Sequence, residues 1–227
     1  PGIPGDQIAG CGFEKAKLAL GELAHLHGSM WEKTTLADDE IVSRGNKDQT
    51  PTAELYRALA PSFVERYADK LTSMEKVAIS DLGNSIHRYL ESKDSPKTLI
   101  HIDYRLDNMM FGGPYQLAVV DWQSCAFGCP LNDVSYFMGT SLEPEIRLER
   151  ETELLEHYFK ILQKYNVSID WATINSLYCH YAPAGLVMAV IASMIVGETQ
   201  RGNKMFLAMA KRSARMMLEL DSLKVIS

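Results

Sequence analysis

His101-Ile102-Asp103-Tyr104-Arg105-Leu106-Asp107-Asn108, followed by Asp121-Trp122-Gln123, gathers carboxylates, an amide, an imidazole and a guanidinium into one short stretch. That set suits phosphoryl transfer. The reaction needs one group to orient the attacking hydroxyl and take its proton, and side-chain oxygens to hold Mg2+ against the phosphates of a nucleotide. Asp103 suits the first task as catalytic base, and Asn108 and Asp121 suit the second as metal and cofactor ligands. Arg105, two residues after the base, is placed to neutralise charge developing on the transferred group. His101 reads as a structural brace of the catalytic loop rather than an acid or base. The HxDxxxxN spacing arises by chance often enough to mean little alone, and Asp121 behind a hairpin decides the reading.

The elements that must carry these residues follow from periodicity. Thr98 to Ile102, Met109 to Phe111 and Leu117 to Val120 are short apolar runs that predict short strands. Gly112-Gly113-Pro114 forces a reversal, so 109–121 is a hairpin. Helical patterns precede it: one capped by Asp6 and running to about His27 through Ile8, Leu18, Leu20, Leu23 and Leu26, and two more over about 52–70 and 73–92. Between the first two lies a polar loop over 33–50, with a turn at Arg44-Gly45-Asn46 and a helix start at Thr50-Pro51. Downstream, helices are expected over about 132–140, from Glu143-Pro144 to Tyr165, from Asp170 to Thr199 with a kink at Pro183, and over 202–220. The order is helices, a small β insert, then helices, which is a mainly helical α+β fold without an internal repeat.

Composition narrows the partners. The 227 residues are 46% hydrophobic and 23% charged, enough for a real core. A net charge of −6 argues against nucleic acid, which calls for a basic footprint. No charged-then-apolar leader opens the sequence, which points to the cytoplasm. The most apolar run, Ala184 to Gly197, is shorter than the roughly 18 residues of a membrane span and reads as a buried helix, so no membrane partner is expected.

Several other residues carry simpler explanations. Asp133, near a helix start, reads as a cap or loop anchor. His25, His27 and His87 sit in helical patterns away from the motif and read as packed or solvated side chains. Cys11, Cys125, Cys129 and Cys179 match no zinc spacing. Met205, Met209, Met216 and Met217 have helical spacing and read as core, whereas Glu149, Arg150, Glu151 and Glu153 read as a solvated face.

The stretches His101 to Phe111 and Leu117 to Tyr136, with Asp121-Trp122-Gln123 and Pro130-Leu131-Asn132-Asp133-Val134, resemble the aminoglycoside phosphotransferase and choline kinase-like superfamily, which is related to the protein kinases. They are similar to the kinase-like domain fused to some acyl-CoA dehydrogenases. Gly5-Asp6-Gln7-Ile8-Ala9-Gly10, Leu23-Ala24-His25-Leu26-His27 and Trp31 look like the linker helix of the ecdysteroid-kinase-like branch. The resemblance implies the C-terminal lobe of a protein-kinase-like fold, with 1–32 as a linker helix leading into it. The helical lobe is then 33–227, with the catalytic loop at 101–108 and the metal-binding strand end at 117–123. It implies Asp103 as base, Asn108 and Asp121 as Mg2+ ligands, His101 as brace, and ATP or GTP as co-substrate for phosphorylation of a small-molecule hydroxyl acceptor. Two positions depart from the family pattern: Ile102 stands where a small residue, commonly Gly, is usual, and Cys129 where relatives often have Asp before Pro.

The nucleotide-binding N-terminal lobe of such enzymes is not expected within these residues. Gly10-Cys11-Gly12 lacks the spacing of a phosphate loop, and Lys76-Val77-Ala78-Ile79 has the wrong order for the kinase lysine strand and falls in a helical pattern. The opening Pro-Gly-Ile-Pro-Gly reads as the middle of a longer polypeptide, so this stretch alone is expected to be inactive. The competing reading is a non-catalytic binding or scaffold protein without a nucleotide lobe. A third is a metal-dependent hydrolase using the same Asp and Asn cluster. The acceptor, the choice between ATP and GTP, and the oligomeric state are not legible at this level.

Overall fold

The computed structural model describes residues 2–33, 35, 49–91 and 95–226. The polar loop expected over 33–50, with its Arg44 turn, lies mostly outside the described residues. Strand β1 (Ile3–Pro4) precedes helix α1 (Phe13–Ser29), and α2 (Thr50–Arg66) and α3 (Ser73–Leu90) form a helical hairpin. The β insert comprises β2 (Thr98–Ile100), β3 (Met109–Phe111), β4 (Leu117–Val119) and β5 (Ala126–Gly128). Helices α4 (Pro130–Ser141), α5 (Pro144–Leu162), α6 (Trp171–Tyr181), α7 (Ala184–Ile195), α8 (Gln200–Glu219) and the short α9 (Ser222–Ile226) follow.

Local chemistry explains most boundaries. Pro51, Pro130 and Pro144 each occupy a first helical turn, where the missing N–H costs nothing. Thr72 and Glu75 form a reciprocal capping box at the start of α3, and Thr199 caps α8 through the Gly202 N–H. The β3–β4 hairpin turns on Gly112 and Gly113, both at positive φ (77° and 85°), which side chains other than glycine adopt only with strain.

Three expectations need correction. The first helix begins at Phe13 with Gly12 as its cap, whereas Asp6 closes a separate turn by accepting from the Ile8 and Ala9 N–H groups. The helix expected over Asp170–Thr199 is two helices, because a proline at position 183 cannot donate within a helix interior. Two strands went unread: β1 pairs antiparallel with β3, Ile3 opposite Phe111, and β5 pairs with β2, Leu99 opposite Phe127.

Two apolar clusters fill the interior. One joins α1, the hairpin, α4, α5 and α6 around Leu20, Leu23, Tyr104, Phe137 and Tyr158. The other joins α2, α3, α7 and α8 around Tyr56, Phe63, Ile79, Leu186 and Met209. The methionines of α8 read as core are buried, Met205, Met209 and Met217 in this second cluster and Met216 in the first. The span Trp171–Ile195 has the length and hydropathy of a membrane helix, yet 61% of its apolar window is buried inside the fold. The loop over 101–108 follows β2 and buries Tyr104 and Leu106 in the first cluster.

Candidate active site

The loop after β2 turns through Ile102, whose φ of 70° is left-handed, and closes in a single 3-10 turn over Leu106–Asn108. A β-branched residue in that region is strained by about 1–2 kcal/mol, so something must hold it. Asp133 of α4 does so: its carboxylate, with no exposed surface, accepts the His101 N–H at 2.6 Å and the Ile102 N–H at 2.8 Å. The residue read as a cap or loop anchor is an anchor for this loop. Behind it, His27 Nε2 lies 3.5 Å from Asp133 Oδ2 and His27 Nδ1 shares a hydrogen bond with the Tyr158 hydroxyl. His27, read as remote from the motif, is therefore packed directly against the loop's support.

With the backbone turned, three of the anticipated residues converge. Arg105 Nε donates to both oxygens of Asp103 at 2.8 and 3.0 Å, and Asn108 Nδ2 donates to Asp103 Oδ2 and to its carbonyl, both at 2.9 Å. The Tyr136 hydroxyl donates to Asp103 Oδ1 at 2.6 Å. Burial and the neighbouring Asp103 charge push the Tyr136 phenol well above its ordinary value, so it stays a neutral donor. Burial pulls the Arg105 guanidinium down, but Asp103 and its companions outweigh that and hold it fully charged.

His101 is buried, its Nε2 is 2.9 Å from the Val120 carbonyl, and its ring lies 4.7 Å from that of Trp122. The Val120 N–H in turn donates to the Asn108 carbonyl at 2.9 Å. The loop over 101–108 is thus tied at both ends to the residue before Asp121. Asp121 itself is exposed, at a left-handed φ of 65°, and among the described residues no hydrogen bond engages its carboxylate. Because the Asn108 amide nitrogen is committed to Asp103, its oxygen is left as an acceptor. An amide oxygen and a free carboxylate at the end of the same hairpin form an all-oxygen donor set of the kind hard divalent cations such as Mg2+ take. These residues fit the metal the motif implies.

Other side chains take contacts that the sequence did not show. Asp107 is clamped by Arg201 of α8, Nη1 at 2.8 and Nη2 at 2.9 Å, and receives the Gln7 N–H at 2.9 Å. Met205 Sδ lies 2.9 Å from Arg105 Nη1. Glu151, read as part of a solvated face, pairs with the buried Arg147 and accepts from the Tyr178 hydroxyl. A cavity of about 810 Å³ opens beside the loop, with Ile100, Ile102, Phe127, Tyr136, Val187 and Met188 in its wall. Cys129 also lines it, its thiol pushed up to about 11 by burial, which leaves it protonated.

Comparison with known proteins follows the same lines. Residues 4–170 match the model of the ecdysteroid kinase-like family. Human acyl-CoA dehydrogenase family member 11 is 36% identical over 63 residues, 26% of this chain and 8% of that protein. Plasmodium vivax ethanolamine kinase superposes with a TM-score of 0.55 at 13% identity, over 93% of this chain and 62% of the kinase. An aminoglycoside phosphotransferase solved with gentamicin gives a TM-score of 0.47 at 18% identity, over 90% of this chain and 66% of its own. This chain thus spans less than two thirds of the ethanolamine kinase. The mainly helical architecture with small sheets is the kinase-like fold, and the chain belongs to the ecdysteroid kinase-like family.

Proposed function

We propose that this chain is the catalytic lobe of a small-molecule kinase that transfers the γ-phosphoryl group of ATP, or of GTP, to a hydroxyl of its acceptor. The observation that carries the reading is the Asp103 carboxylate, gripped by Arg105, Asn108 and Tyr136, with Tyr136 and the neighbouring Ile102 in the wall of a cavity large enough for a small molecule. Membership of a kinase-like family supports the use of a nucleotide.

In this reading the acceptor hydroxyl donates to Asp103, which takes the proton as the oxygen attacks the γ-phosphorus. An O–P bond forms, the bond between the β–γ bridging oxygen and the γ-phosphorus breaks, and the nucleoside diphosphate leaves with the bridging oxygen. Arg105 stays on Asp103 through Nε, with the rest of its fork available to charge developing on the transferred group. Asn108 and Asp121 would hold Mg2+, which supplies charge neutralisation for the phosphates when bound. His101 and Asp133 keep the loop in its strained turn. The cavity wall mixes aliphatic and aromatic side chains with Thr50, Thr52, His87, Glu91, Lys97 and Asn132, which favours an acceptor with an apolar body that also carries polar groups. The nucleotide-binding lobe is taken to be a separate segment of the complete polypeptide.

The test is an acceptor screen with the complete polypeptide, read as nucleotide consumption and acceptor phosphorylation, with Asp103→Ala alongside. Phosphorylation of a neutral alcohol that vanishes in Asp103→Ala supports the proposal. Undiminished transfer in the variant sinks it.

A further inference from the structure

The segment between β1 and α1 has no regular helix, yet its middle residue is sealed inside: Gln7 has no exposed surface. Its polar groups are all engaged. Oε1 accepts the Leu106 N–H at 2.8 Å and the Ser141 hydroxyl at 3.3 Å, and Nε2 donates to the Thr140 carbonyl at 2.8 Å. The Gln7 main-chain N–H donates to Asp107 Oδ1 at 2.9 Å, and its carbonyl accepts from Arg212 Nη1 at 2.8 Å. Arg212, itself buried, also reaches the Thr140 carbonyl at 3.0 Å, the Ile8 carbonyl at 2.9 Å and the Glu143 carboxylate.

Two of these bonds end on Leu106 and Asp107, two of the four residues that separate Asp103 from Asn108. Leu106 opens a three-residue 3-10 turn, and the first N–H groups of any helical turn have no partner inside it. The Gln7 amide oxygen caps that N–H from the far end of the chain. The approach is close: the Gly5 N–H donates to the Met109 carbonyl at 2.9 Å, and a Cβ at Gly5 would come within 2.3 Å of the Leu106 oxygen. Arg201 of α8 grips the same Asp107 carboxylate and lies 3.9 Å from Asp6 Oδ1, so the N-terminal segment and α8 hold the turn together.

We infer that Gln7 is a positioning residue: it fixes the turn at Leu106–Asp107 and thereby the placement of the Asp103 carboxylate relative to the Asn108 amide. This rests on the roles proposed above for Asp103 and Asn108. The N-terminal segment then belongs to the support of the catalytic loop as well as leading into the lobe.

The experiment uses the complete polypeptide with Gln7→Met, which keeps the side-chain length and removes both polar atoms. Gln7→Glu keeps the acceptor for Leu106 but loses the donor to Thr140, and Ser141→Ala, which touches Gln7 only at its longest bond, is the control. Amide exchange at Leu106, thermal midpoint, kcat and KM are measured for each. In Gln7→Met, Leu106 exchanges about tenfold faster and kcat falls about tenfold, while KM stays within about twofold. Gln7→Glu retains Leu106 protection and most of kcat, and Ser141→Ala matches the parent.

Wild-type exchange and kcat in Gln7→Met overturn the inference. So does a large fall in kcat in Gln7→Glu with Leu106 still protected, which decides the matter should Gln7→Met fail to fold. If the parent polypeptide transfers no phosphate at all, the kinase reading fails, and Leu106 exchange still decides whether Gln7 holds the turn. If the parent is active and Gln7→Met is indifferent, the inference on Gln7 fails alone.

Discussion

The buried carboxylate of Asp133 accepts the main-chain N–H groups of His101 and Ile102 together, at 2.6 and 2.8 Å, and so pins the entrance of the loop over 101–108 to α4. Each N–H left unpartnered in the interior costs about 1–3 kcal/mol. Asp133→Leu is therefore expected to lower stability by about 2–5 kcal/mol, read from the urea midpoint, because two donors lose their acceptor at once. A change within about 0.5 kcal/mol, as a surface substitution gives, would show that water or another group replaces the carboxylate without loss.

Asp103→Asn keeps the shape of the side chain and its acceptor oxygen but cannot take a proton. Phosphate transfer by the complete polypeptide should drop about 10²- to 10⁴-fold, the range of a lost general base, with the circular dichroism spectrum unchanged. A loss in KM alone, with kcat intact, would point to a binding role for Asp103 instead.

Burial pushes the Asp107 carboxyl up, but the Arg201 hydrogen bonds, the Gln7 N–H and the Arg201 and Arg105 charges outweigh it, and the net shift is below the usual carboxylate range. A depressed folded value means that the stabilisation is fully present above the unfolded value, about 3.9, and is lost as pH falls through the lower folded value. Urea midpoints measured from pH 7 down to about pH 3 should fall less steeply below about pH 4 in Asp107→Asn than in the parent. Identical slopes in the two proteins would contradict the assignment.

Ile102→Gly sets two effects of similar size against each other. Glycine removes about 1–2 kcal/mol of left-handed strain, and loses about 1–2 kcal/mol of half-buried side-chain contact and chain entropy. The thermal midpoint should therefore move little, unlike the several-degree loss expected at a position with ordinary φ. A fall larger than about 2 kcal/mol in stability would mean that the Ile102 side chain packs far more than it strains.

The parts of this protein that depend on near neighbours were legible in the sequence. The Gly112-Gly113 reversal, the prolines that open α2 and α5, and the strand–loop–strand setting of His101, Asp103, Asn108 and Asp121 are set by backbone sterics and by spacing within a few residues. Strands β1 and β5 were not, because strands of two and three residues exist only through a partner more than twenty residues away. The same holds for the start of α1, where Asp6 offers a plausible cap but the chain instead crosses to the loop and begins its helix at Phe13. Gln7, Tyr136 and Arg201 carry no local signature, and the helix start at Asp133 suggested a cap or anchor without its target, yet together they supply the acceptor, the anchor and the donors that hold Asp103 and its turn in place. The types and order of the groups proposed to react were thus determined by the sequence itself. Which groups stand behind them was decided only when the helices packed, since a buried amide or carboxylate acquires its role from the partners that tertiary contact brings within hydrogen-bonding distance.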